Sequence, residues 1–304
     1  MSSIATYIFA IVRKKKLFAV LVVVLGILVL YDYVLAPDSS LQKRYAINDF
    51  QQSFAQKATV PVVWKADHET GDSTQWMARK TEQTWQDSGL CIRPKNGVSS
   101  EVSHSGKYAL KMTIGSWYPH SGCRQFRYEE ARSGKDYYYS AWLYFPEKYT
   151  VSGWTNIMQF KAKRFSQHGG ASDLFWSVRL MSHEDGEPYF QLSWKGGEGA
   201  VLGPTAQDTE LKPKLFDQSL VSVPVKQWVH LEIFLKQSSD FDGHIIVWQD
   251  GKEIYNVDGV RTKFEDSFNS WSINSYGAGI SPSAFTVYVD DAAISTERLG
   301  LTYR

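Results

Sequence analysis

From Val62 onward the chain is written in short runs that alternate apolar and polar side chains, broken by clusters of Gly, Asp, Asn, Pro and Ser. A period of two is the mark of a half-buried β-strand. The runs are VVWKA (62–66), KYALKMTI (107–114), CRQFRY (123–128), DYYYSAWLYF (136–145), TNIMQFKAK (155–163), LFWSVRLM (174–181), YFQLSW (189–194), WVHLEIFLK (228–236), GHIIVWQ (243–249), EIYNV (253–257), WSINSY (271–276) and AFTVYVDDAAI (284–294). Asp250-Gly251, between GHIIVWQ and EIYNV, is a strong hairpin signal. No stretch beyond residue 60 holds a helical period for three turns, and no tandem repeat is present. So many strands without long helices bury a core by stacking two sheets, which predicts an all-β jelly-roll sandwich over 61–304. The 14% aromatic content fits such a core or a surface that stacks on sugars.

The run TNIMQFKAK sets the functional question. As a strand it turns Met158, Phe160 and Ala162 to one face and Gln159, Lys161 and Lys163 to the other. The second face is an amide and two cations, a row suited to an acidic partner. In LFWSVRLM, Arg179 stands among apolar neighbours and shares its face with Ser177; in YFQLSW, Tyr189 and Gln191 share theirs. The ordinary reading of such alternating cations is the solvated side of a sheet.

The N-terminus reads differently. Arg13-Lys14-Lys15-Lys16 precedes LFAVLVVVLGILVLYDYVLA at 17–36, about the ~20 apolar residues that cross a bilayer, with Tyr31 and Tyr33 at interfacial depth. This predicts a cytoplasmic basic N-terminus (1–16), a single signal-anchor transmembrane helix (17–36), a polar stalk (37–60) and the jelly roll outside the cytoplasmic membrane, periplasmic or extracellular. The competing reading is a signal peptide cleaved after Ala36, which Pro37 disfavours. Four of the 33 cations and one of the 32 acids lie in 1–36, so the body is nearly neutral. General nucleic-acid binding, which needs a strongly basic face, is excluded, and any anion site must be local.

Several stretches together resemble a known family: ADHETGDSTQW (66–76), HSGKYALKM (104–112), YYYSAWLYFPEKY (137–149), NIMQFK (156–161), the GHIIVWQDGKEIYNV hairpin and VYVDDAAIS (287–295). They resemble the heparin-lyase-I-like polysaccharide lyases, a group that includes glucuronan lyases, over about 62–298. The resemblance implies a concanavalin A-like jelly roll. It also implies a central strand with a sugar-facing Gln-x-His, which here reads Gln159-Phe160-Lys161. A lyase removes the proton at C5 of a uronate and expels the 4-linked oxygen, so it needs a carboxylate neutraliser, a base and an acid.

The candidates follow from that chemistry. Gln159 is the neutraliser; Lys161 occupies the position of the family's histidine; His168, on the loop after the cationic strand, is a substitute base; Tyr276 in SYGAG, before a glycine-rich turn that leaves room for a ligand, is the acid. Lys163, Arg179, Tyr189, Gln191 and Trp142 are the expected substrate contacts, with Tyr138 and Tyr144 also available for stacking. His68 and His104 read as turn histidines, and His230 and Glu232 as an outer face. Paired catalytic carboxylates, zinc spacing, P-loop, GxGxxG and GxSxG motifs are absent. No cofactor is expected, although Asp290 and Asp291 could serve a structural calcium. Cys91 and Cys123, an even pair in an exported region, predict a disulfide worth about 3 kcal/mol.

Two functions fit. One is a membrane-anchored protein that binds, and as a lyase cleaves, an acidic polysaccharide. The other is a non-catalytic jelly roll acting as an accessory subunit of a membrane protein complex or as a glycan-binding module. In either case the lipid bilayer is a partner. Protease added to intact cells or spheroplasts is expected to remove the 62–304 region, and protection of that region would overturn the topology. Mapping of non-reduced peptides is expected to find Cys91 linked to Cys123; two separately alkylated peptides would refute the bond.

Overall fold

The computed structural model describes residues 61–76, 97–115, 121–127, 129–164, 175–195, 214–216 and 221–302. The predicted membrane segment, the stalk, Cys91 and His168 lie outside the described residues. Among the described residues no helix is long and apolar enough to cross a membrane.

The strands are β1 (Val62–Ala66), β2 (Gly97–Ser99), β3 (Ala109–Gly115), β4 (Ser121–Arg127), β5 (Tyr137–Tyr144), β6 (Thr150–Arg164) and β7 (Phe175–Ser182). They continue with β8 (Pro188–Lys195), β9 (Lys214–Phe216), β10 (Trp228–Lys236), β11 (Gly243–Gln249), β12 (Lys252–Val260), β13 (Ser267–Ser281) and β14 (Ala284–Ser295). All the predicted runs are strands. Only the three-residue β2 and β9, too short to show a period, were not foreseen.

Two antiparallel sheets form a sandwich. The first has the order β12-β11-β10-β5-β14-β3-β2 with β1 alongside β14, and the second has the order β4-β13-β6-β7-β8-β9. The hairpin at Asp250-Gly251 forms as predicted, with φ of 48° and 77° at its two central residues. Between the sheets lies an aromatic core. Tyr139 of β5 meets Phe160 of β6 at 4.8 Å and Trp271 of β13 at 5.3 Å, while Trp64 and Trp76 close on each other at 4.7 Å. Each such side chain contributes about 1.5–3 kcal/mol on burial, and the edge-to-face pairs add about 0.5–1.5 kcal/mol. Burial pushes the Tyr139 phenol above its ordinary value, so it stays un-ionised.

Register extends this core across the second sheet. Ile273, Met158, Val178 and Leu192 are cross-strand partners, as are Trp271, Phe160, Trp176 and Trp194. All eight are buried. Ser272, Gln159, Ser177 and Ser193, one residue along, form a parallel row on the opposite face.

The first sheet's far side holds three departures from expectation. Trp142 lies there, opposite His230 and Asp290 and stacked on His104 at 3.8 Å. It is therefore on the other sheet from Gln159. His230 and Glu232 do occupy an outer face, but both are fully buried. The C-terminal segment lies over Glu232, whose carboxylate accepts the Leu299 amide at 2.6 Å and Arg298 Nε at 3.1 Å. In a regular strand the adjacent Asp290 and Asp291 would point to opposite faces. A bulge with Asp291 at φ 44° instead turns both toward one loop, where Asp290 Oδ2 accepts the His104 amide and Asp291 Oδ2 meets His104 Nδ1 at 2.6 Å. His68 and His104 are the turn-organising histidines expected; the His68 amide donates to Gln75 Oε1 at 2.7 Å.

Burial, reinforced by the nearby His104 and the Arg298 guanidinium, pushes His230 down to about 4. The unfolded chain takes up this proton near pH 6.5, whereas the native state refuses it until about 4. The contribution of neutral His230 is complete above pH 6.5 and is lost as pH falls toward 4, about 3 kcal/mol in all. Melting temperature is expected to drop over that interval, and less steeply in His230→Gln. Parallel curves for the two proteins would refute the assignment.

Candidate functional site

The site is built on the face of the second sheet that turns away from the core. Gln159 is central. Asn156 Nδ2 donates to Gln159 Oε1 at 2.7 Å, and Asn274 Nδ2 donates to Asn156 Oδ1 at 2.9 Å. With its carbonyl oxygen engaged, the Gln159 amide is turned so that its NH2 group is the end offered to an acceptor. That orientation suits a carboxylate.

Tyr276 completes the group. It pairs across the ladder with Asn156 and sits edge-on to Trp154 at 4.8 Å. From the neighbouring strand, the Arg124 guanidinium lies 4.1 Å from the centre of the Tyr276 ring. Burial pushes Arg124 below its ordinary value, and Tyr276 works the other way. It remains a cation.

SYGAG was expected to be a turn with room for a ligand; it is strand, within β13. Its glycines serve close backbone approach. A Cβ on Gly277 would meet the Trp154 carbonyl oxygen at 2.5 Å, and Gly279 has φ 68°. The register shift between Ile273 and Tyr276 lies in the same stretch of β13.

A second group lies further across the sheet. Arg179 is the cross-strand partner of Gln191. Its Nε donates to the Thr155 carbonyl at 3.2 Å, while Gln191 Nε2 donates to the Tyr189 hydroxyl at 3.3 Å. His183 stacks on Tyr189 at 3.9 Å. Two residues along the same strands, the Ser177 and Ser193 hydroxyls are hydrogen-bonded at 2.9 Å. Arg124 Nε, Ser272 Oγ and Asn274 Oδ1, all on strands of this sheet, are buried without a hydrogen-bond partner.

Of the sequence-predicted residues, Gln159 and Tyr276 come together, and Arg179, Tyr189 and Gln191 form the second group. Lys161 lies two residues along β6 from Gln159, half-buried and paired across the ladder with Ser270. The Lys163 side chain lies outside the described residues, and Trp142 belongs to the other sheet. Sequence reasoning missed Arg124, Asn156 and Asn274. The signal was available in WSINSY, where Ser272, Asn274 and Tyr276 alternate with Trp271, Ile273 and Ser275. Among the described residues no group of His, Cys, Asp or Glu side chains is placed to hold a metal ion.

A polysaccharide lyase family model matches residues 68–291, and the chain belongs to that family. No curated protein matches it. An alginate lyase carrying two substitutions, solved with an alginate trisaccharide, superposes with a TM-score of 0.54 at 12% identity, over 79% of this chain and 100% of that one. A further structure of that alginate lyase gives 0.51 at 11% identity, over 80% and 95%. An endo-β-1,4-glucuronan lyase from the fungus Trichoderma reesei gives 0.49 at 20% identity, over 78% and 96%. The two alginate lyase likenesses establish the shared fold.

Proposed function

We propose that this protein binds an acidic, uronate-containing glycan on the polar face of its second sheet and cleaves it by β-elimination. The observation that carries the reading is the placement of the Asn274–Asn156–Gln159 amide run beside the Tyr276–Arg124 pair. Arg124, Lys161 and Arg179 lie on this face, and none of the sheet's six strands contains Asp or Glu. A face so composed attracts an anion.

Each role has a physical basis. The Gln159 NH2 group binds the uronate carboxylate and holds the charge that spreads onto it when the C5 proton leaves. Lys161 or His168 accepts that proton, and the Tyr276 hydroxyl donates one to the departing 4-linked oxygen as the C4–O bond breaks. Arg124 lies against Tyr276 and balances the negative charge of the phenolate left behind. Lys161 stands in for the histidine of the resembled lyases. The apolar run at 17–36 supports a membrane anchor that holds residues 1–16 inside and the jelly roll outside the cytoplasmic membrane.

A second reading, a non-catalytic glycan-binding or accessory domain, is favoured by the withdrawal of the face from solvent. Gln159 is 5% exposed and Arg179 8%.

Incubating the purified full-length chain with glucuronan, alginate and heparin separates the readings. Unsaturated product is expected, with binding that weakens as salt rises. Gln159→Ala and Tyr276→Phe are each expected to lower turnover by about 10²–10³-fold; Gln159→Ala also strands the Asn156 Nδ2 donor, so its melting temperature is expected to fall by a few degrees, whereas that of Tyr276→Phe is not. Lys161→Ala and His168→Ala identify the base, and Lys161→His is expected to retain or raise cleavage. Binding without product in the unsubstituted chain would favour the non-catalytic glycan-binding reading, and absence of both binding and product would overturn the acidic-glycan reading and leave the accessory-subunit one.

A further inference from the structure

Asn156 and Gln159 stand three residues apart on β6, and in a regular strand they would point to opposite faces. Counted back from Met158, which is fully buried in the core, alternation would send Asn156 between the sheets. Its side chain instead reaches Gln159 on the polar face. The alternation breaks at Ile157 and Met158, neighbours that both lie in the core at 0% exposure. The β6–β7 ladder shows how. It pairs Met158 with Val178, and continued in that register it would set Asn156 opposite Leu180. Thr155 stands there instead: its hydroxyl accepts the Leu180 amide at 2.7 Å and donates to the Leu180 carbonyl at 2.6 Å. Between these points β6 carries one residue more than β7, which is a β-bulge. The threonine hydroxyl takes the place of the backbone groups that the bulge withdraws from the ladder, at a residue only 1% exposed among the buried polar groups. On the other flank, the register shift of β13 between Ile273 and Tyr276 lies opposite the same stretch and carries Asn274, which donates to Asn156.

We propose that Thr155 is a positioning residue: its hydroxyl holds the bulge that turns Asn156 onto the face of Gln159, and Asn156 in turn aims the Gln159 NH2 group at the uronate carboxylate. The inference rests on the reading of Gln159 as the carboxylate neutraliser. Thr155 itself touches no substrate. It acts through Asn156, whose Nδ2 engages the Gln159 carbonyl oxygen and leaves the NH2 end to the ligand. Without the bulge, Asn156 would return to the core side and the Gln159 amide would be free to rotate, presenting its oxygen to a carboxylate as readily as its NH2 group. An oxygen there repels the charge that the NH2 group stabilises.

The test is a double-mutant cycle in the full-length chain in detergent, with turnover of a uronate polymer as the readout. Thr155→Val keeps the shape of the side chain and removes its hydroxyl. It is expected to lower kcat about 10²-fold, the effect of misplacing a catalytic group by about 1 Å, while KM changes far less. Thr155→Ser, which keeps the hydroxyl, should retain most of the turnover. In a Gln159→Ala background Thr155→Val should cost no further turnover, because the group it aims is gone. Losses that multiply would show that Thr155 serves only the fold, and would overturn the assignment. Where Thr155→Val does not fold, Asn156→Ala cuts the same link one step nearer Gln159, and the same cycle decides. If the unsubstituted chain makes no product, the lyase chemistry fails, and the cycle is read in affinity for a uronate oligosaccharide instead. If it neither cleaves nor binds, the glycan reading fails, and a crystal structure of Thr155→Val decides the positioning alone: Asn156 turned away from Gln159 upholds it, and Asn156 in place overturns it.

Discussion

The contact of Phe160 with Tyr139 fixes everything else about the polar face. It joins the central strand of one sheet to the other sheet at 4.8 Å. Because successive strand residues point to opposite sides, seating Phe160 in the core commits Gln159 and Lys161 to the far side. A slip of one residue would bury an amide and a cation between the sheets and expose Phe160 and Met158. Such a slip costs several kcal/mol for each wrongly buried group, so the register, and with it the site, is held by the core rather than by polar bonds.

How much was legible follows from the same rule. Alternation gave the strands and the sandwich, and it put Gln159, Arg179 and Gln191 on polar faces, because one-dimensional period maps directly onto sheet face. It could not say which strands are neighbours. Trp142 and Gln159 have equally good alternation, yet their strands belong to different sheets, a fact decided by long-range pairing of β5 with β10 and β14. The meeting of Arg124, Tyr276 and Asn156 is likewise a product of β4 and β6 flanking β13, segments far apart in sequence. SYGAG shows a third limit. Glycines that read as a turn are required by the close approach of the β6 and β13 backbones, which composition cannot distinguish from a loop.

The unpartnered atoms on the polar strands carry a further implication. A buried donor or acceptor without a partner costs about 1–3 kcal/mol, so sheets seldom retain several. Arg124 Nε, Ser272 Oγ and Asn274 Oδ1 are such atoms on neighbouring strands β4 and β13. A ligand rich in hydroxyls and carboxylates would satisfy them together. Departures from local satisfaction of this kind concentrate where structure serves binding.

Charge is segregated in the same sense. The first sheet mixes signs, with Glu232, Asp290 and Asp291 all held by local donors. The second sheet's strands carry cations and no acid, although the chain as a whole has a formal net charge of only +1. A field confined to one sheet attracts an anion to that surface without making the protein a general polyanion binder, and the withdrawal of Gln159 and Arg179 from water strengthens each charge contact made there.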